Sequence, residues 1–155
     1  MSFKDSLSIE VELEEVVSQE ARATVFAIQR GLIKATPVGN PDLWVYNHPT
    51  RGYIDYIGYL GEPEGYVGGR ARSNWFVYLG NKTEDVTKNT DASLSISSAN
   101  QAIAKAKGVE YPTMGVINNL PYIERLNDGH STQAPKKFVE EVISRVVNSR
   151  KSNGR

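Results

Sequence analysis

The chain contains no cysteine. Disulfide frameworks, thiolate zinc sites, iron–sulfur clusters and cysteine nucleophiles are thereby excluded together. Histidine is almost as scarce: His48 and His130 are the only two. There is no His-Glu-x-x-His pair, no acidic twelve-residue calcium loop and no carboxylate cluster with ligand spacing, so neither metal nor cofactor is expected. No apolar run approaches the roughly 20 residues that a membrane-spanning helix needs. Residues 1–20 are too acidic for a secretory or transit peptide, which leads to the expectation of synthesis and folding in the cytoplasm. Surplus charge is missing too: 18 basic side chains balance 18 acidic ones, whereas tight generic binding of nucleic acid draws on an excess of Lys and Arg.

What is present suits a folded domain. A length of 155 residues with 39% hydrophobic and 23% charged side chains matches a single globular unit with its own core. The balanced charge is unevenly distributed. Asp5, Glu10, Glu12, Glu14, Glu15 and Glu20 crowd the first 25 residues, and Lys136, Lys137, Arg145, Arg150, Lys151 and Arg155 crowd the last 20. Two solvated helix faces would explain this. So would two ends that meet across a head-to-tail contact between copies, the kind that closes rings.

Apolar spacing predicts a helix from about Leu13 to Lys34, with Leu13, Val17, Ala21, Thr24, Val25, Ile28 and Leu32 on one face and Pro37 beyond its end. The acidic residues Glu10 to Glu15 read as part of a solvated helical segment. Asn74–Leu79, Ser93–Ile96 and Thr113–Asn118 read as strands, and residues 80–91 as an exposed loop. Ser97 or Ser98 would cap a helix reaching about Lys107. Pro135 would open a last helix ending near Asn148, with Phe138, Val139, Val142, Ile143, Val146 and Val147 buried and the tail 149–155 frayed. The fold class is therefore α+β: a small, mostly antiparallel sheet packed by a long N-terminal helix, a middle helix and a C-terminal helix.

Residues 37–70 differ in texture. Four of the seven prolines fall here, among many glycines and the aromatics Trp44, Tyr46, Tyr53, Tyr56, Tyr59 and Tyr66. Leu43–Tyr46 and Tyr53–Leu60 are expected to pair as a hairpin about Asn47–Gly52. Its rings either roof the core or form a contact surface, for which Trp44, Tyr53, Tyr56 and Tyr59 are the candidates.

No catalytic residues emerge. Asp128, His130 and Ser131 are triad residue types, but neighbours on one loop rarely converge as a triad must. Gly65–Arg70 lacks the Lys-Ser/Thr of a phosphate-binding loop and precedes a strand.

Two stretches are more specific. One runs Asn118-Asn119-Leu120-Pro121-Tyr122-Ile123-Glu124-Arg125-Leu126-Asn127-Asp128-Gly129-His130-Ser131-Thr132-Gln133-Ala134-Pro135. The other is Gly69-Arg70-Ala71-Arg72-Ser73-Asn74-Trp75, with Ile33-Lys34-Ala35-Thr36-Pro37-Val38 upstream. Together they resemble the tail-completion (neck, minor tail protein Z-like) family of long-tailed bacteriophages, over about residues 30–38, 69–79 and 100–148. One departure is clear: the family's Thr-Pro-Val turn leads almost directly to Gly-Arg, whereas residues 39–68 intervene here.

The resemblance implies a structural virion protein and not an enzyme. It implies a homo-oligomeric ring, hexameric in the family, at the head–tail junction. That ring would cap the tail tube, take part in head joining and pass DNA through its channel, and it would be assembled in the host cytoplasm. Its implied partners are other copies of the chain, the tail tube or tail terminator protein, and head–tail connector proteins, with no membrane. Interface candidates are Arg70, Arg72, Trp75, Tyr122, Glu124, Arg125 and His130, beside the aromatics of the insertion; a core tryptophan beside exposed arginines would explain Arg70, Arg72 and Trp75 equally well. Three other readings stand: a nucleic-acid-binding module using the basic C-terminal tail, a head-side connector subunit, and a small hydrolase using His130.

Overall fold

The computed structural model describes residues 6–12, 19–39, 45–61, 68–106, 113–129 and 136–153. They form an α+β structure. A three-stranded antiparallel sheet, in the order β1 (Leu7–Glu12), β5 (Thr113–Asn118), β4 (Phe76–Leu79), carries the helices α1 (Gln19–Ala35), α3 (Ser93–Lys105) and α5 (Phe138–Asn153). A separate hairpin of β2 (Val45–His48) and β3 (Gly52–Asp55), followed by α2 (Tyr56–Leu60), lies between α1 and β4 in the chain, and α4 (Ile123–Asn127) follows β5.

Strand alternation sets the two faces of the sheet. Leu7 and Ile9 of β1, Val77 and Leu79 of β4, and Met114 and Val116 of β5 join the main core with Val25, Ile28 and Leu32 of α1 and Phe138, Val139 and Val142 of α5. Phe76, Tyr78 and Ile117 form a second buried cluster on the opposite face. Helices α1 and α5 pack closely because Gly31 leaves room for Val142: a Cβ at position 31 would sit 2.7 Å from the Val142 Cγ1. In the sheet, Gly115 stands directly opposite Tyr78. A Cβ there would run into the Tyr78 ring and the Ile9 carbonyl oxygen of β1, so the strand centre has space for glycine alone.

Several sequence expectations need correction. Residues 7–12 are a strand, so Glu10 and Glu12 are not on a helix; the Leu-Ser-Ile-Glu-Val-Glu alternation has the period of two that a half-buried strand shows. Helix α1 is described from Gln19, and the expected start at Leu13, with Val17, lies outside the described residues. Ser93–Ile96 opens α3 and is not a strand. Its apparent alternation points the wrong way, since Leu94 is exposed and Ser95 buried. Ser95, Ala99 and Ala106 are instead buried at helical spacing. Residues 149–153 continue α5 where fraying was expected. Trp75 precedes β4, after a single 3-10 turn over Arg72–Asn74. Among the described residues, no helix is long and apolar enough to cross a membrane.

Asp91 starts α3 by accepting from the Ser93 backbone N–H (2.9 Å) and from the Ser93 hydroxyl. These bonds, the hydroxyl's first, hold its carboxyl below the ordinary aspartate value. Because the folded-state value is the lower one, the stabilisation is present above the unfolded-state value and disappears as pH falls through the folded one. Replacing Ser93 with alanine should move the Asp91 carboxyl resonance, followed by NMR, back towards ordinary titration; an unmoved titration would remove Ser93 as the cause. Gly115→Ala should lower stability by about 3 kcal/mol, the upper end of the overpacking range, read as a shift in the denaturant midpoint. A neutral result would show that β1 does not approach β5 as described.

Candidate assembly interfaces

Residues 45–61 fold as an arm with their own small cluster. None of residues 45–61 belongs to either buried core. Gly52 (φ 73°) takes the left-handed conformation that closes the short turn between the strands. Asp55 caps α2 by accepting from the Ile57 N–H (3.0 Å), and Gly61 (φ 78°) ends the helix by donating back to the Ile57 carbonyl (3.0 Å). Residues expected to extend the second hairpin strand, Tyr56–Leu60, thus form this helical turn instead. The turn folds over one face of the hairpin. The Tyr46 and Tyr59 rings stack with centroids 5.7 Å apart, and His48 meets Tyr59 edge-on at 5.3 Å. His48 Nδ1 accepts from the Thr50 backbone N–H at 3.2 Å. His48 Nε2 lies within hydrogen-bonding distance of the Tyr59 hydroxyl, at 3.2 Å.

The other face of the hairpin is bare. Val45, Asn47 and Tyr53 are exposed on it, Tyr53 to 75%, while Asp55 at its end turns its carboxylate to α2. A two-stranded hairpin is marginal in water unless something covers it; α2 covers one side only. Of the aromatic candidates, Tyr53 and Tyr59 are exposed and Tyr56 is half-buried. Trp44 lies outside the described residues, as does His130.

The second motif region divides into residues that hold the body together and residues that face outwards. Asn118 is buried, donating to the Ala71 carbonyl (2.9 Å) and accepting from the Leu120 N–H (3.1 Å). Asn119 donates to the carbonyls of Thr83 (2.9 Å) and Asp85 (3.2 Å), tying down the loop after β4. Leu120 and Ile123 are in the interior. Asn127 accepts from the Val139 N–H (2.9 Å) and donates to the Glu140 carboxylate at 2.8 Å, so a residue of α4 caps α5. Gly129 (φ 92°) adopts the left-handed geometry that glycine tolerates, just past the end of α4. Lys137 Nζ pairs with Asp128 Oδ1 at 2.9 Å.

Facing outwards are Tyr122, Glu124 and Arg125, three of the interface candidates. With Pro121 and Asp128 they line an open cleft of about 380 Å³.

The first motif region is mostly architecture. Trp75 is fully buried and is therefore withdrawn as an interface residue; its indole N–H donates to Thr36 Oγ1 at 2.7 Å. Asn74 exchanges bonds with the backbone of Thr87, donating to its carbonyl (3.0 Å) and accepting from its N–H (2.8 Å). Arg70 and Arg72 are half-buried beside this turn, Arg70 reaching towards the Thr87 carbonyl at 3.4 Å. The motifs and the arm do not coalesce into one site: the interior receives Trp75, while Tyr53, Tyr59, Tyr122, Glu124 and Arg125 are distributed over two surfaces.

Sequence reading missed the structural asparagines. Their positions beside turns and at element ends were the available signal, since asparagine side chains compete for backbone groups there. Among the described residues, no three of His, Cys, Asp and Glu gather as metal ligands. Comparison with protein-family models, with curated proteins and with solved structures finds no match to this chain.

Asn127→Ala should destabilise the chain by about 2 kcal/mol, through a lost cap and an unsatisfied buried N–H. Asn127→Asp should not rescue it, because a second carboxylate would then face Glu140. Chemical denaturation of the two variants decides this; an aspartate variant as stable as the parent would contradict the assigned roles of the amide.

Proposed function

We propose that this chain is a structural subunit of a long-tailed phage particle, a tail-completion or neck protein. Copies form a ring that caps the tail tube, offers a surface to the head connector and leaves a channel for DNA. The Thr-Pro-Val, Gly-Arg-x-Arg-x-x-Trp and Asn-Asn-x-Pro-Tyr segments carry the resemblance behind this reading. The structural observation that supports it most strongly is the arm: an aromatic hairpin with one uncovered face, outside both buried cores. A flat, tyrosine-bearing surface outside the core suits binding to another folded protein, because tyrosine supplies large contact area at low entropic cost. Zero net charge accords with a channel past which a genome slides without being held.

The basic C-terminus offers less to a nucleic-acid reading than its composition suggests. Arg145, Arg150 and Lys151 are carried on α5, and Arg150 is half-buried.

A phage lacking the gene should accumulate filled heads and finished tails that fail to join. Electron microscopy of lysates reads this directly, and complementation by the full chain should restore joined particles. Normal, infectious particles formed without the chain would overturn the proposal. A gel shift across a salt series separates the rival: tight DNA binding that collapses with salt would favour a nucleic-acid-binding role.

A further inference from the structure

The arm and the α4 cleft are complementary in kind. At the hairpin tip, Arg51 and Tyr53 are both exposed. The cleft is walled by Pro121 and Tyr122 and carries the carboxylates of Glu124 and Asp128, with Arg125 at its side. A tyrosine ring packs well against proline and tyrosine surfaces, and a guanidinium finds its best partner in a carboxylate. Asp128 already engages Lys137, which leaves Glu124, exposed at the mouth of the cleft, as the acceptor for Arg51. The two surfaces belong to different parts of one chain, so contact between them across molecules is heterologous. Repeated from copy to copy, such a contact closes into a ring or continues as a filament.

We infer that the arm of one copy docks in the α4 cleft of the next, with Tyr53 against Pro121 and Tyr122 and with Arg51 paired to Glu124. The inference rests on the proposed ring and names the contact that builds it. It also accounts for the uncovered hairpin face, which the neighbour's cleft would cover. The occupant is a second copy because aromatic and cationic groups on the arm find their counterparts on the same polypeptide.

The absence of cysteine permits a clean test. A full-length Asn47→Cys chain, whose new thiol lies across the hairpin from Tyr53, is mixed with an equal amount of an Arg125→Cys chain carrying a mass tag, and the mixture is oxidised. Random collision makes half the disulfide dimers mixed. The inference expects mixed dimers well above that share. Adding Arg51→Glu to the first chain, or Glu124→Arg to the second, should lower the excess several-fold, and combining both reversals should restore it. All four positions are exposed, and circular dichroism confirms that each variant folds. Mixed dimers at or below the random share would overturn the arm–cleft contact. The ring reading is judged separately, by microscopy of the unsubstituted chain and by the joining defect of the gene deletion, so rings without the cross-link would sink this inference alone.

Discussion

The structure depends on a clasp between Thr36 and Trp75. The indole N–H of Trp75 donates to the Thr36 hydroxyl at 2.7 Å, and that hydroxyl donates in turn to the Leu32 carbonyl at 2.6 Å. A side-chain amide from α1, that of Gln29, adds bonds to the Trp75 carbonyl (2.9 Å) and the Ser95 carbonyl (3.0 Å). Three elements are thereby joined: the end of α1, the start of β4 and the start of α3. All of these groups are buried, where a polar atom without a partner costs free energy, so the bonds select one arrangement of the helices on the sheet. Tryptophan suits the position because it fills the core and still has an N–H to give.

Side-chain amides extend the same logic outward from the clasp. Asn74 holds the Thr87 backbone, Asn118 holds the turn at Ala71, Asn119 holds the loop near Thr83, and Asn127 caps α5. Each replaces a regular backbone bond where the chain leaves a strand or a helix. The asparagines of the Asn118–Asn127 segment are therefore largely positioning residues. They settle where the exposed side chains of Tyr122, Glu124 and Arg125 stand.

The fold was legible where apolar residues recur over several turns or along a whole strand. Val25, Ile28 and Leu32 announced α1, Phe138 to Val142 announced α5, and Met114 and Val116 announced β5. Reading failed where composition spoke louder than period. The glutamates of β1 concealed a strand whose alternation was plain, and Ser93–Ile96 alternated by accident while Asp91 and Ser95 made it helical. The candidate surfaces were half legible. Aromatic density marked the arm, but which rings are stacked inward and which stand bare depends on the register of β2 with β3 and on α2, and neither follows from residue types. Trp75 could be placed in the interior only when its partner Thr36, distant in sequence, was seen beside it.

The clasp also bears on how such a chain changes over generations. Thr36 and Trp75 lie 39 positions apart, yet they are in contact, so the stretch between them leaves and rejoins the body at nearly one point. The entropy of closing a loop grows only slowly with its length, and neither buried core includes any of residues 45–61. Insertions, deletions and replacements within residues 45–61 therefore leave the folding of the body largely untouched. A lineage is free to remodel the hairpin at its own pace, while the domain beneath is inherited intact.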